Sequence, residues 1–373
     1  MKLCIVTEFE QKNSFQWFLA LSRLQDELGI QVTPIVADAL HRKVYKEDNS
    51  YWNPLREADA VFIYATRIAT RHDPQAMSWW KLPEFAKQFM RSDAKMIAQY
   101  DDEFMWLFDP SHIWWFSPNP DNHGGPEQFF KDTGILEIPD AHLVVMNNPL
   151  IKNYTTKPVF KLLLPQLHRY SPSKYSGPHK QTNIAVMYHS IRKSSISGIL
   201  ENVIKPNNYP VTIFFGTLNQ KIIENFRATT KLPVNSETFA RMQYEAYMDL
   251  LWKYSSIGLD DNTGYYGWSR FAMECAIARI PCVGSTEAVQ DIFPELHTAP
   301  QDFVKQSELI AKLMADKKFY HEIVEAGYKR VYEILSDETL CKKLIEIFNK
   351  LKTSKTGEIP QQPLPEPNQH PHP

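Results

Sequence analysis

Arg270 and Glu274 stand one helical turn apart, behind a loop that could receive an anion. Residues 260–285 read as a strand end, a polar loop containing Gly264 and Gly267, one helix to about Ala278, and a short buried strand. The two glycines let the backbone turn tightly or approach a ligand closely. Ser269 suits a helix N-cap, because its hydroxyl can accept from a free amide of the first turn. A loop feeding a helix N-terminus offers amide donors and a positive dipole end. Arg270 in the first turn opposes that dipole unless an anion is present, and Glu274 shares its face. The pair could hold a phosphate and a ribose hydroxyl. It could equally be a solvated pair on an ordinary helix. Pro281 opens the strand that follows, where its missing N–H is tolerated.

A second acidic group, Asp101 and Asp102, follows a strand-like run at Tyr100. Two adjacent carboxylates without a third ligand nearby read as a turn-and-cap pair before a metal site. Residues 104–116 carry Phe104, Trp106, Phe108, Trp114, Trp115 and Phe116. Such a cluster suits core packing, stacking on a sugar, or contact with a membrane interface. No Ser/His/Asp arrangement and no phosphate-cradling glycine motif is present in the sequence.

The elements that must position these groups alternate between strands and helices. Residues 3–7, 31–37, 58–64, 95–99, 141–146 and 159–164 read as strands, with Pro34 an awkward member of the second. Ser14 caps a helix over 15–28 that ends at Gly29, and further helices are expected over 82–90 and 126–133. Residues 168–181 lack an apolar period and read as a linker. Beyond it the alternation resumes, with strands at 184–188, 211–215 and 256–259 and a short extended piece at 232–234. Helices are expected over 195–204, 221–229, 244–254, 307–316, 318–336 and 338–352. The pattern predicts an α/β chain of two Rossmann-like domains facing a cleft, over 1–167 and 168–352. The last helix, from Glu338, is expected to return to the first domain. Residues 353–373 hold six prolines and no apolar period, and read as a disordered tail. Ligands of such sheets sit beyond the carboxyl ends of strands, so the loops after Val6, Gln99, Tyr188 and Leu259 become the ones to watch.

The charge balance, 41 basic against 43 acidic residues, gives no electrostatic case for nucleic acid as the main partner. The four cysteines are scattered without metal-ligand spacing, and Cys4 and Cys282 fall in apolar runs. They read as small buried hydrophobes of a reducing compartment. The first apolar run breaks at Thr7 and Glu8, unlike a signal peptide, and no stretch is long enough to span a membrane. A cytoplasmic protein is expected, or one attached to a membrane only at its surface.

The order of these pieces resembles the GT-B glycosyltransferases, and among them the family-four-like (glycosyl transferases group 1) retaining enzymes. The resemblance spans most of residues 1–352 and is specific in three places. Residues 266–274, YGWSRFAME, with the Pro281 strand after them, are similar to the family's Glu-x7-Glu element. Residues 244–260 are similar to the helix and strand before it. Residues 100–103, with the strand from Ala141, are similar to an Asp-Asp turn of some members.

The resemblance implies transfer of a sugar from a nucleotide-diphosphate sugar to a hydroxyl acceptor, with retention and without a metal. No cofactor is implied, since the nucleotide sugar is a substrate. Glu274 matches the glutamate that contacts the donor's ribose. The family's other glutamate is replaced by Tyr266, which cannot carry a negative charge at neutral pH. Gly267, Trp268, Ser269 and Arg270 fall in the same donor-binding stretch, and Arg241 and Met242 in the segment near the base. Arg192 and Lys193, on the loop after the first strand of the second domain, are placed to neutralise the diphosphate. Asp101 or Asp102 would line the acceptor side and could act as a general base. The acceptor would be a carbohydrate, a glycolipid or a protein. Two other readings stay open: a nucleotide-sugar epimerase, and a non-catalytic nucleotide-sugar-binding or scaffold protein, suggested by Tyr266.

Overall fold

A computed structural model of the chain describes residues 1–7, 16–36, 49–65, 82–100, 128, 131–132, 134–145, 154–165, 175, 183–188, 196–216, 220–261 and 268–353. The chain forms two units. The first takes in Met1–His168 and the chain from Leu335 onward, and the second is Arg169–Ile334.

The first unit is built on six parallel strands: β1 (Lys2–Thr7), β2 (Gln31–Val36), β3 (Ala60–Ala65), β4 (Lys95–Tyr100), β5 (Ala141–Val144) and β6 (Val159–Lys161). Their order across the sheet is β2-β1-β3-β4-β5-β6. Pro34 is therefore accommodated: β2 is an edge strand, and one side of its backbone has no ladder to complete. The expected helix over 15–28 is two pieces, α1 (Gln16–Arg23) and Gln25–Leu28, broken at Leu24. Gly29 closes the second piece in the left-handed conformation, at φ 62°.

Trp17 of α1 is fully buried and meets Phe62 of β3 edge-on at 5.3 Å. Its indole N–H donates to Gln99 Oε1 at 2.6 Å, and Gln99 Nε2 donates to the Leu162 carbonyl at 2.8 Å. One buried amide thus ties α1, the carboxyl end of β4 and the chain after β6. Gln99→Ala leaves two buried partners unpaired and opens a cavity, so a loss of roughly 2–5 kcal/mol is expected in denaturant titration.

The second unit holds five parallel strands: β7 (Asn183–Tyr188), β8 (Val211–Phe215), β9 (Glu237–Phe239), β10 (Ser255–Asp260) and β11 (Cys282–Gly284). The order is β11-β10-β7-β8-β9. The helices that matter for function are α2 (Tyr244–Tyr254), α3 (Arg270–Ile277), α4 (Glu287–Ile292), α5 (Phe303–Ala315) and α6 (Lys317–Leu335). Helix α7 (Asp337–Thr353) packs on α1 and β4 of the first unit, where Arg23 pairs with the buried Asp337 carboxylate.

Three local expectations change. Strand β9 was not expected; it lies just after the extended piece at 232–234, whose Val234 is exposed. Helix α4 was not expected, although Thr286 caps it by accepting from the Val289 amide. Helix α5 starts at Phe303 rather than 307, capped by Asp302. Among the described residues no helix is long and apolar enough to cross a membrane. The aromatic cluster at 104–116, the tail from 354, and all of the expected linker but Tyr175 lie outside the described residues. Tyr175 is buried and donates to Asp249 at 3.1 Å.

Candidate functional site

Strand order locates the site of the second unit. From β7 the chain adds β8 and β9 on one side, then returns to add β10 and β11 on the other. The reversal falls between β7 and β10. Doubly wound sheets bind ligands at such a switch point, beyond the carboxyl ends of the two strands, because the flanking loops diverge there. The loop after β7 contains Arg192 and Lys193; the loop after β10 contains Tyr266 and Gly267. All four residues lie outside the described ones, as do Asp101 and Asp102 after β4 and the loop after β1. In the first unit the reversal falls between β1 and β3.

The described residues on either side of 262–267 are tied to the rest of the unit. On the β10 side, the buried Asp261 carboxylate accepts through Oδ1 from Ser285 Oγ (2.7 Å), Gln306 Nε2 (2.9 Å) and the Gln301 amide (3.2 Å). Asp260 Oδ2 accepts from Thr286 Oγ1 at 3.0 Å. On the α3 side, the buried Trp268 donates its indole N–H to Asp291 Oδ2 of α4 at 2.9 Å. Trp268 is therefore held against α4 where the described residues resume.

Helix α3 begins as its sequence requires. Ser269 is the N-cap, and its hydroxyl accepts from the Phe271 amide at 3.3 Å. Every residue from Phe271 to Ile277 is buried. Close packing makes this possible: a Cβ on Gly258 of β10 would sit 2.5 Å from Cys275 Sγ and 3.0 Å from Cys282 Sγ. All four cysteines are free and buried, as their sequence contexts suggested.

A solvated Arg–Glu pair is thereby excluded, for Glu274 is only 6% exposed. Tyr247 of α2 donates to Glu274 Oε2 at 2.9 Å. Burial pushes the Glu274 carboxyl up to about 7, against the lowering influence of Arg270 and of the Tyr247 and Tyr244 hydroxyls. Asp260 adds to the rise. Arg270 is half-buried in the first turn of α3, Arg241 is exposed and Met242 half-buried in the segment between β9 and α2. Sequence reasoning placed Glu274 on the helix but missed Tyr247. The signal was there: Tyr244 and Tyr247 are three apart on a helix, which puts both hydroxyls toward one neighbour. Among the described residues no group of three or more His, Cys, Asp or Glu is arranged to hold a metal.

No family model and no curated protein sequence matches the chain. Solved structures do. A glycosyltransferase from Rickettsia africae ESF-5 superimposes with a TM-score of 0.61 at 13% identity, covering 94% of this chain and 98% of that one. An alpha-glucosyltransferase (AGT) in complex with UDP gives 0.60 at 11% identity, over 93% and 99% of the two chains. Anabaena Alr3699/HepE in complex with UDP and glucose gives 0.57 at 10%, over 94% and 99%. At such identities the likeness is one of fold, and the fold is GT-B, as the motifs suggested. An alpha-glucosyltransferase of this fold has also been solved with UDP and a 13-mer DNA. The fold by itself therefore does not exclude a nucleic-acid partner.

Proposed function

We propose that the chain is a retaining, metal-independent glycosyltransferase that moves a sugar from a nucleoside-diphosphate sugar to a hydroxyl acceptor. The observation that carries this reading is the buried Glu274 carboxylate on the helix that follows the switch-point strand. A carboxylate perturbed by desolvation beside a ligand-binding switch point marks a functional-site candidate. The solved structures of this fold that contain UDP support a nucleoside diphosphate as that ligand.

In this reading Glu274 accepts from the donor's ribose, and the segment at Arg241 and Met242 meets the base. Transfer breaks the bond between the anomeric carbon and the diphosphate oxygen and forms one to the acceptor oxygen. The acceptor's proton leaves to the departing phosphate or to a carboxylate. Arg192, Lys193, Arg270 and the amide end of α3 neutralise charge as it grows on the diphosphate. Gly267 lets the loop approach the donor, and Tyr266 offers the sugar a hydroxyl rather than a charge. The first unit takes the acceptor, a carbohydrate, glycolipid, protein or nucleic acid, with Asp101 and Asp102 on that side. No cofactor is required beyond the donor.

A thermal-shift screen with UDP, GDP, ADP, TDP and their sugars tests the reading. A ligand at a hundred times its Kd stabilises the native state by roughly 2.7 kcal/mol, a shift of several degrees. One diphosphate is expected to stand out, and Arg192→Ala with Lys193→Ala to weaken it and slow donor turnover. No response to any diphosphate would favour a scaffold, and epimerised sugar formed without acceptor would favour an epimerase.

A further inference from the structure

The aromatic side chains around Glu274 form a connected path that the proposed donor contacts do not use. Tyr247 is buried and stands edge-on to Phe214 of β8, at 5.0 Å and 88°. Phe214 stacks on Phe239 of β9 at 5.6 Å and 24°. Phe239 directly precedes the segment that carries Arg241 and Met242. Tyr244, at the head of α2, lies 6.0 Å from Tyr247, and its hydroxyl also acts on the glutamate. So the two ends of the proposed nucleotide site share one aromatic column, which ends in the Tyr247 hydroxyl donating to Glu274.

We propose that Tyr247 is the positioning residue of the donor site, holding Glu274 as an oriented anion whose remaining lone pairs face the ribose. The inference rests on the reading of Glu274 as the ribose contact. A carboxylate has about four lone-pair positions, so the Tyr247 hydrogen bond leaves capacity for ribose hydroxyls. Without that donor the buried carboxyl would protonate more readily and could rotate. The titratable and charged groups that act on it are Arg270 and Cys275 of its own helix, Tyr244 and Tyr247 of α2, and Asp260 of β10. Only the tyrosines and Arg270 favour the anion.

The test is a double-mutant cycle read by calorimetry from pH 5.5 to 8.5, using whichever of UDP, GDP, ADP and TDP binds most tightly in the screen above. The proteins are the native chain, Tyr247→Phe, Glu274→Gln and the double variant. Phenylalanine keeps the ring packed on Phe214, so folding is preserved. Native affinity is expected to rise with pH through neutrality, as the carboxyl ionises. Tyr247→Phe should weaken binding about five- to twentyfold at pH 7 and move that rise to higher pH. In the Glu274→Gln background the curve should be flat, and Tyr247→Phe should change affinity less than about twofold. An equal effect of Tyr247→Phe in both backgrounds, or an unmoved pH profile, would reduce Tyr247 to a core residue and overturn the inference. If Glu274→Gln itself leaves affinity and pH dependence unchanged, or if no diphosphate binds, the donor-site reading falls, and the inference with it.

Discussion

Glu274→Gln is expected to make the free protein more stable above neutral pH while weakening the proposed nucleotide binding at least tenfold. The stability half follows from burial. The Glu274 carboxyl titrates near 7 in the native chain, against an ordinary value of 4.5. Between those values the unfolded chain has released the proton and the native chain keeps it. Stability therefore falls as pH rises through that window, by about 1.4 kcal/mol per unit from this group, to a total on the order of 3 kcal/mol by pH 8. Glutamine removes the titration and can still accept from Tyr247. The gap between variant and native protein should then be small near pH 4.5 and widen to a few kcal/mol at pH 8. Denaturant titrations of both proteins at pH 5 and pH 8 measure it directly, and a gap independent of pH would show that Glu274 is not perturbed. The binding half follows from charge: a charge-assisted hydrogen bond to ribose is worth roughly 1.5–3 kcal/mol, so its loss costs ten- to a hundredfold in affinity. A side chain that destabilises the free protein and strengthens the complex marks function better than either effect alone.

The second large effect is expected at Gly284, the last residue of β11. Its φ of 151° is one that L side chains rarely adopt, and a Cβ there would lie 2.1 Å from the Asp260 carbonyl oxygen. The obstacle is backbone, and it cannot swing aside as a side chain would. Asp260 and Gly284 are register partners, the Ser285 amide donates to the Asp260 carbonyl at 3.2 Å, and the Thr298 amide to the Gly284 carbonyl at 2.9 Å. Gly284→Ala must pry β11 from β10, and with it Thr286 from Asp260 and Ser285 from Asp261. A loss beyond about 4 kcal/mol is expected. It should appear as collapse of the second unit's transition in urea, or as insoluble protein. Gly134→Ala is the matched control in the first unit: φ is 59° and nothing lies within 4 Å of the added Cβ, so only about 1 kcal/mol should be lost. Comparable losses at the two sites would refute the steric account.

Much of the fold was legible because its signals are local. The apolar runs that became β1, β3, β7 and β8 are buried, short and bounded by turn residues. Gly29 and Ser269 announced a helix end and a helix start that the structure bears out. Strand β9 escaped because Glu237–Phe239 is three residues on a sheet edge, where a half-exposed backbone demands no apolar run. Helix α4 escaped because its six residues are too short to show a period, leaving only the Thr286 cap as a sign. Helix α3 ends without a glycine: Arg279 takes the left-handed conformation at φ 59°, with its guanidinium over the Tyr328 ring. Contact with a distant helix substitutes there for the usual residue.

For residues 260–285, the sequence by itself determined that a capped helix would follow a glycine loop, and that Arg270 and Glu274 would share its face. Those properties depend on neighbours within one turn. Only the tertiary structure decided that α3 is buried along almost its whole length, that Glu274 meets Tyr247 from 27 residues away, and that β10 returns to pair with β7 at a topological reversal. Burial and partners at long range set a carboxyl's charge state, because desolvation and hydrogen bonding act through space and not along the chain.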